Sequence, residues 1–402
     1  MAGDIAIVFD CGATNARVIA LDSNGKIISS ASEPNSPCPD PLLPGGLIWD
    51  FGEIWKKMSR ASARVMSDID STRVAGVTVT TFSVDGTLFD HNGLMLYPVI
   101  SWQCERTRPV AENIGKYISS EELYMISGVL PFSFNTIFKL IWLRENRPDL
   151  CEKAKCFLFA PSILAYFLTG SMVNDRTMAG TSMTTDLTTG GWSGRIYDAI
   201  GFPSGLMLDP VDPGTITGTV TAAAAAVTGL PCGTPVVATG HDTQFALFGS
   251  GAGVNVPVLS SGTWEILMVR SKTFSSGMEQ MNASITTELD SRKGLYDIGN
   301  QWIASGMIEW VRRKYYPELK ENAYDIMISG ASKVPPSCNG VTANPDFSKP
   351  ELENAIRGMT SRTTRDDILR AVLTALSERL RQGKEAIENA GSFNTSFIIC
   401  VG

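Results

Sequence analysis

A strand, a turn of small residues and a second strand occur in the same order twice in this sequence. The first copy is FDCGATNARVIAL and the second is LSSGTWEILMVRS. In each copy an apolar run rich in β-branched residues stops at a glycine-containing turn and then resumes. The recurrence predicts an internal duplication, in which two domains each present a small-residue turn. Two such turns can close on one nucleotide from opposite sides.

The length and composition are those of a globular protein with a large core. The chain has 402 residues, which suggests two or three domains, and it is 44% hydrophobic and 19% charged. No apolar run approaches the roughly 18 residues needed to cross a bilayer, and the N-terminus lacks a basic region followed by an apolar stretch. We therefore expect a cytoplasmic protein without a membrane partner.

Cysteine usage and net charge exclude several classes of protein. Eight cysteines are scattered without a CxxC pair, and the chain has two histidines, so a disulfide framework and structural zinc are both disfavoured. The net charge of −7 argues against a nucleic-acid-binding surface. Any bound phosphate must be held by local loops.

The first turn offers groups suited to a magnesium nucleotide. Asp10 can organise a hydrated Mg²⁺ ion, and Gly12 lets the backbone approach a phosphate. Thr14, Asn15 and Arg17 supply hydrogen-bond donors. The alternative interpretation is a tight hairpin turn with a surface arginine.

Two further turns follow apolar runs in the stretch from residue 235 to residue 267. One carries Asp242 and Gln244, and the other, Ser260 to Thr263, includes Gly262. A carboxylate can remove the proton of a sugar hydroxyl, and Gly262 and Thr263 let backbone N–H groups approach a phosphate. Each turn alone is typical of ordinary loops, but together they indicate phosphoryl transfer from a nucleotide to an alcohol.

Aromatic and charged residues after the run at 99–101 favour a polyol pocket. Trp102 offers a ring for stacking, and Glu105 and Arg106 offer groups that form paired hydrogen bonds with a sugar. The alternative is that Trp102 is a core anchor and that Glu105 and Arg106 form a surface ion pair.

Apolar periodicity and turn residues predict the remaining organisation. We expect a domain boundary near residue 235, with a first domain at 1–235 and a second at 236–402. The other expectations are helices within 49–69, 136–146, 160–168 and 365–388, a strand at 396–401, a loop at 175–185 and a linker at 203–233.

Six segments in this order and spacing resemble the FGGY carbohydrate kinases: DCGATNAR, VTTFSVDG, ISWQCERT, TMAGTS, GHDTQFALFG and LSSGTWEIL. The resemblance is collinear over the whole chain. It implies an α/β protein with two ribonuclease H-like domains of the actin, hexokinase and Hsp70 type, and a cleft between them for a sugar and MgATP. It also implies ATP-dependent phosphorylation of a ketose, and L-fuculose, giving L-fuculose 1-phosphate, is the expected substrate.

The resemblance assigns roles to residues that match the family's motifs. Asp10 to Arg17 is similar to the first phosphate loop and Ser260 to Thr263 to the second, and Asp242 is similar to the catalytic base. The implied sugar-binding residues are Asp85, Trp102, Asn135, Asp242 and Gln244. Asp10 is the implied Mg²⁺ ligand.

The sequence departs from the family pattern at two places. Cys104 stands where many members have aspartate in a Trp-x-Asp-x-Arg pattern. The family also continues past a strand like SFIICVG into an adenosine-binding loop, so we expect a chain ending at Gly402 to bind the ketose but to hold ATP weakly.

Alternatives to a fuculose kinase remain open from the sequence. They are another ketose, namely rhamnulose, xylulose or ribulose, a non-catalytic sugar or nucleotide sensor, and an actin- or chaperone-like ATPase. A dinucleotide-binding dehydrogenase fits poorly, because GATNAR lacks the third glycine of GxGxxG and leads into a strand. A homodimer is a further expectation.

Overall fold

The computed structural model describes residues 3–262, 264–344 and 355–401. The chain divides into two compact units. The first comprises Met1–Phe248, Ser276–Met281 and Thr287–Asp297, and the second comprises Gly249–Ser275, Asn282–Thr286 and Ile298–Gly402. The boundary expected near residue 235 lies one strand and one helix before this division, because Pro235–Val237 joins the first sheet.

The first sheet has six strands, and its centre is built by the N-terminal hairpin. Ile5–Cys11 pairs antiparallel with Asn15–Asp22 and parallel with Val74–Thr81. The two strands alternate buried and more exposed residues, as expected of a pleated sheet with one face on the core. The full strand order is Ile216–Thr219, Pro235–Val237, Val74–Thr81, Ile5–Cys11, Asn15–Asp22, Ile27–Pro34.

The helix Phe51–Ser67 covers part of this sheet. Asp50 caps its N-terminus by accepting a hydrogen bond from the Glu53 N–H group at 3.0 Å. Ile54, Met58, Ala61 and Val65 recur at helical spacing and are fully buried in the first core. The periodicity in the sequence predicted this helix.

The other elements between residues 38 and 249 surround the first sheet and carry a second apolar core. The strands are Cys38–Pro39, Leu47–Trp49, Gly86–Asp90, Val99–Ile100, Ala154–Phe159, Thr185–Asp186 and Gly191–Trp192. The α-helices are Arg108–Glu112, Ser120–Ser127, Thr136–Asn146, Pro148–Lys153, Ala160–Thr169, Arg176–Thr181, Gly194–Ile200, Ala222–Thr228 and Asp242–Gly249. Short 3₁₀ turns are Ser71–Arg73, Glu105–Thr107, Ile114–Lys116 and Ser204–Leu206.

A second sheet repeats the arrangement of the first. Val258–Ser261 pairs antiparallel with Trp264–Ser271 and parallel with Ile399–Val401. In each hairpin a glycine N–H group donates to the carbonyl of the first residue of the second strand, Gly12 to Asn15 O at 2.9 Å and Gly262 to Trp264 O at 3.0 Å, although the first turn is one residue longer. The strand order is Thr286–Leu289, Tyr296–Ile303, Trp264–Ser271, Val258–Ser261, Ile399–Val401. The duplication seen in the sequence is thus a duplicated hairpin with a parallel neighbour.

The long helix Arg365–Gly391 organises the core of the second unit. Thr364 and Asp367 form a reciprocal capping box at its start. Leu369 and Val372 are fully buried in the third apolar core. The remaining elements of this unit are the helices Ser305–Tyr315 and Ala323–Ala331, the 3₁₀ turn Cys338–Gly340 and the strands Thr342–Ala343 and Ile356–Arg357. The short helix Met278–Asn282 lies almost entirely in the first unit.

Two expectations about loops are wrong. Part of the expected loop at 175–185 is the helix Arg176–Thr181, because Asp175 caps it through the Thr177 and Met178 N–H groups. The expected linker at 203–233 is not one continuous loop, because it contains the edge strand Ile216–Thr219. Its alanine run forms the helix Ala222–Thr228, as that composition favours. Its proline- and glycine-rich turns connect these short elements. In the described part of the chain, no helix is both long enough and apolar enough to cross a membrane.

Candidate active site

Three neighbouring parallel strands of the first sheet end on the same edge. They are Ile5–Cys11, Val74–Thr81 and Pro235–Val237. Ligands of open α/β sheets bind outside the carboxyl ends of the strands. Asp10 is the second-last residue of the first of these strands, and the segments that leave the other two carry Asp85 and Asp242.

The first turn presents its polar groups to solvent. Thr14 and Asn15 are exposed, and Arg17 donates to Asp10 Oδ2 from Nη2 at 2.6 Å and from Nε at 3.2 Å. Asn35 fixes the turn, because its amide donates to Gly12 O at 2.9 Å and its backbone N–H donates to Thr14 O at 2.8 Å. Asn35 therefore fixes the backbone of the turn, while the side chains of Thr14, Asn15 and Arg17 stay accessible to a ligand.

Asp242 begins a helix beside this turn's sheet. The carbonyl of Gly240 accepts from the Thr80 hydroxyl at 2.8 Å and from the Thr81 N–H group at 3.1 Å. These bonds fix the backbone two residues before the helix Asp242–Gly249. The Asp242 side chain is 39% exposed, and its Oδ1 accepts from the Thr243 N–H group at 2.7 Å.

The pKa of Asp242 is raised above its usual range. Partial loss of water around the carboxylate is the main cause, and the nearby Asp10 charge acts in the same direction. His241 and the hydrogen bonds from Thr243 oppose the shift. A carboxylate with a raised pKa is a stronger base than an ordinary surface aspartate.

His241 lies among carboxylates. The sequence analysis did not identify this histidine as a site residue. Its Nε2 is 3.5 Å from Asp242 Oδ1, and its Nδ1 is 3.8 Å from Glu288 Oε2. Burial lowers the pKa of His241, but attraction to Glu288, Asp242 and Asp175 outweighs it, so the net pKa is raised. The available signal was a histidine directly before the candidate base in a chain with two histidines.

Asp175 and Thr177 support the backbone of His241. Asp175 Oδ1 accepts from the Thr177 hydroxyl at 2.6 Å, and Thr177 Oγ1 accepts from the His241 N–H group at 2.9 Å. A Cβ atom on Gly240 would lie 2.0 Å from Asp175 Oδ1, so this close approach requires glycine. Burial raises the pKa of Asp175 to about 6.

Gln244 and Asn135, both predicted to contact the sugar, are buried amides. The Gln244 amide donates to Glu288 Oε2 and to Leu289 O, each at 3.1 Å, and the Asn135 amide donates to Thr181 O at 3.4 Å. Gln244 Oε1 and Asn135 Oδ1 accept no hydrogen bond from the described residues. Each amide therefore keeps one buried acceptor for another donor.

Asp85 is completely buried among donors. Its Oδ2 accepts from Trp49 Nε1 at 2.7 Å and from the Trp102 N–H group at 3.0 Å, and its Oδ1 accepts from Lys139 Nζ. Burial raises the pKa of Asp85, and it lowers the pKa of Lys139, while the ion pair opposes both changes. Lys139 escaped the sequence analysis because it lies inside an apolar helical stretch.

The ring of Trp102 is half-buried and belongs to an aromatic group. It meets Phe134 edge to face at a centroid distance of 6.3 Å, and Phe134 stacks on Phe132 at 5.2 Å. The ring also packs against the first core. Trp102 thus combines a core contact with a partly exposed surface.

Arg106 is not part of a surface ion pair with Glu105. Arg106 is buried and contacts Asp40 at 2.5 Å, whereas Glu105 pairs with Arg108 at the surface. Cys104, at the position of the departure from the family pattern, accepts from Arg106 Nε at 3.1 Å and from the Leu47 N–H group at 3.2 Å. Asp40 is 66 residues away in sequence, so local spacing gave no sign of this contact.

The turn of the second hairpin is described up to Gly262. Ser261 and Gly262 are exposed, and Gly262 O accepts from the Ser305 N–H group at 3.3 Å. Thr263, predicted to bind a phosphate, lies outside the described residues. In the ranges that are described, no three His, Cys, Asp or Glu side chains are grouped so as to hold a metal ion.

Comparison with known proteins agrees with this arrangement. Residues 5–249 match the N-terminal domain of the FGGY family of carbohydrate kinases. The chain is 42% identical over 405 residues to L-fuculokinase of Escherichia coli, covering all of this chain and 84% of that protein. It is 38% identical over 406 residues to L-fuculokinase of Haemophilus influenzae, covering 99% of this chain and 86% of that protein.

Its fold is similar to that of a solved xylulose kinase from Rhodospirillum rubrum, with a TM-score of 0.88 and 22% identity over 99% of this chain and 81% of that one. A similarity at this identity supports the two-domain α/β fold. The match to the family model and the relatives that align over the whole chain also establish the family. This chain belongs to the FGGY family of carbohydrate kinases.

Proposed function

We propose that this enzyme transfers the γ-phosphoryl group of ATP to the primary hydroxyl of L-fuculose, giving L-fuculose 1-phosphate. The observation that carries the proposal is the position of Asp242. This accessible carboxylate with a raised pKa begins a helix at the carboxyl edge of the first sheet. The choice of sugar rests on relatives at 38% and 42% identity that are named L-fuculokinase.

In the proposed reaction, Asp242 is the general base. Its carboxylate accepts the hydroxyl proton while the sugar oxygen forms a bond to the γ-phosphorus atom and the bond from that atom to the ADP oxygen breaks. The Thr243 N–H group holds Asp242 Oδ1, so Oδ2 is the oxygen that accepts the proton. His241, positively charged when protonated, favours the ionised base.

The proposed phosphate-binding groups are those of the small-residue turns. In the first turn these are the side chains of Thr14, Asn15 and Arg17, because they are exposed on a turn that Asn35 supports. The Gly12 N–H group donates to Asn15 O, so Gly12 is proposed only to leave room for the phosphate, since it has no side chain. In the second hairpin the Gly262 N–H group already donates to Trp264 O, so Gly262 is proposed to leave room for a phosphate. The proposed donor is the backbone N–H group of Thr263, which lies outside the described residues. Oriented backbone amides are common phosphate ligands.

Asp10 fits a magnesium ligand. Mg²⁺ commonly takes one or two carboxylates together with substrate phosphates and water, and Asp10 offers one partly exposed carboxylate beside the first turn. When bound, Mg²⁺ would supply positive charge that neutralises the charge developing on the phosphate groups. Arg17 holds Asp10 Oδ2, which leaves Oδ1 as the oxygen for the ion.

The proposed ketose site uses Asp85, Trp102, Asn135 and Gln244. Gln244 Oε1 and Asn135 Oδ1 are buried acceptors to which a sugar hydroxyl can donate, and the Trp102 ring provides a surface for the C–H groups. Asp85 contributes through its hydrogen bond to the backbone of Trp102. Together these groups suit a small polyhydroxylated ligand.

A substrate panel tests the proposal. ATP turnover by the full chain should be measured with L-fuculose, rhamnulose, xylulose, ribulose and glycerol. We expect the highest kcat/KM with L-fuculose. A tenfold higher kcat/KM for another ketose would refute the choice of sugar, and binding of ketoses without any turnover would favour the non-catalytic sensor.

We also infer a cytoplasmic location and a homodimer as working hypotheses. The cytoplasmic location follows from the kinase's need for ATP, whereas the homodimer is a prediction that no contact among the described residues supports. Cell fractionation and sedimentation equilibrium test them.

A further inference from the structure

We propose that Thr136 and Lys139 are positioning residues that hold Val84 in a strained conformation and thereby present Trp102 to the ketose. We name these three residues the Val84 clamp. The inference rests on the proposed function, since it assigns the clamp to the sugar site. It concerns side chains that play no part in the proton or phosphoryl transfer.

Val84 has an unusual backbone. Its φ angle is +63°, in the left-handed region, and the residue is β-branched and buried. A β-branched side chain is strongly disfavoured there, because its Cβ substituents crowd the neighbouring carbonyl. Such a conformation persists only when surrounding contacts impose it, and residues of this kind cluster at functional sites.

The contacts that impose it come from one turn of the helix Thr136–Asn146. The Thr136 hydroxyl donates to Val84 O at 2.9 Å, and Lys139 Nζ donates to the same oxygen at 3.0 Å. Residues three apart lie on one face of a helix, so both donors reach the carbonyl together. Thr136 is 0% exposed and Lys139 is 1% exposed.

The clamp continues through Asp85 to Trp102. Lys139 Nζ also contacts Asp85 Oδ1, and Asp85 Oδ2 accepts from the Trp102 N–H group at 3.0 Å. The Trp102 ring in turn meets Phe134, two residues before Thr136. A displacement of Val84 would therefore move both the Asp85 carboxylate, which accepts from the Trp102 N–H group, and Phe134, which contacts the Trp102 ring.

An ordinary buried ion pair is the competing explanation for Lys139. Neutralising Asp85 requires the contact between the two charges, and it does not require a bond to Val84 O. The second donor from Thr136 is independent of charge. Removing the Thr136 hydroxyl therefore tests the clamp while leaving the ion pair in place.

The central variant is Thr136→Val, which keeps the shape and the β-branch but removes the donor. Loss of one hydrogen bond that acts through Trp102 should raise the ketose KM and Kd roughly two- to tenfold. The KM for ATP should stay the same, because the clamp does not touch the phosphate turns. Thr136→Ser, which restores a hydroxyl, should recover most of the ketose affinity.

Lys139→Met removes both the second donor and the partner of Asp85. We expect a ketose KM raised at least about tenfold, with a smaller change in kcat. Lys153→Met is the matched control, because Lys153 is exposed on the neighbouring helix Pro148–Lys153. It should leave both KM values unchanged.

Hydrogen exchange of the Trp102 amide gives a readout that needs no substrate. Exchange should be faster in Thr136→Val and in Lys139→Met than in the wild type and Lys153→Met. If the wild type binds none of the tested ketoses, the proposed function fails, while faster exchange still supports the clamp. Unchanged Trp102 exchange together with an unchanged ketose KM in Thr136→Val would overturn the inference.

Discussion

Asp175 provides the sharpest test of the electrostatics at this site. The side chain is buried, and Oδ1 accepts three hydrogen bonds, from the Thr177 N–H and hydroxyl groups and from the Met178 N–H group. Oδ2 is buried and accepts none from the described residues. Asp175→Asn keeps the shape and the Oδ1 acceptor, so it removes the titration while preserving the helix cap.

The raised pKa of Asp175 determines whether the free energy of unfolding rises or falls with pH. The pKa of Asp175 is about 6 in the folded chain against about 3.9 for an aspartate in an unfolded chain, so the folded state binds this proton more tightly than the unfolded state. The free energy of unfolding therefore falls as the pH rises between about 4 and 6. The full effect is about 3 kcal/mol, of which about 1 kcal/mol falls between pH 5 and pH 7.

Urea unfolding at pH 5 and pH 7 measures this effect. The free energy of unfolding of the wild type should fall by about 1 kcal/mol more than that of Asp175→Asn over this interval. Asp198→Asn is the control, because Asp198 is exposed, and it should behave as the wild type. If Asp175→Asn and Asp198→Asn show the same pH dependence as the wild type, the argument from burial is wrong.

Three further predictions concern the chemistry. Asp242→Asn should lower kcat roughly 10²- to 10⁴-fold and leave the ketose affinity within a few fold of the wild type. Steady-state rates measure kcat and calorimetry measures the affinity; a variant that keeps more than about a tenth of wild-type turnover would exclude Asp242 as the general base. Asp10→Ala should raise the Mg²⁺ concentration needed for half-maximal rate, whereas an unchanged magnesium titration would exclude Asp10 as a ligand. Glu288→Gln should lower the pKa of His241 because it removes an attracting carboxylate; an NMR titration of His241 in the wild type and the variant measures this, and an unchanged pKa would contradict the assignment.

The sequence predicted those parts of the fold that depend on local pattern. The hairpin Ile5–Cys11 and Asn15–Asp22 joins neighbouring runs through a short turn, and the helix Phe51–Ser67 has a regular apolar period. Alternation and periodicity are properties of adjacent residues, so a single sequence contains them. The helix Arg176–Thr181 was missed because its cap is an ordinary Asp-x-Thr pattern among residues typical of loops.

The missed site residues depend on contacts between distant segments. Lys139 and Asp85 are 54 residues apart, Gln244 and Glu288 are 44 apart, and no local period relates them. A lysine in an apolar helix signals a buried partner, but it does not identify that partner. The sequence therefore indicated the turns that carry the candidate site residues, while the groups that support these residues were found only in the folded chain.

The interleaved path of the chain limits how this enzyme can be divided. Six alternating segments make up the two units, so the backbone passes from one unit to the other five times. The stretch that matches the N-terminal domain of the family ends at residue 249, yet Glu288 belongs to the same unit. A gene fragment cut at that point would omit the carboxylate that Gln244 binds. Recombination between two relatives at residue 249 would likewise combine Gln244 from one parent with Glu288 from the other. Exchange of the whole coding region should therefore preserve function better than exchange of the part before or after residue 249.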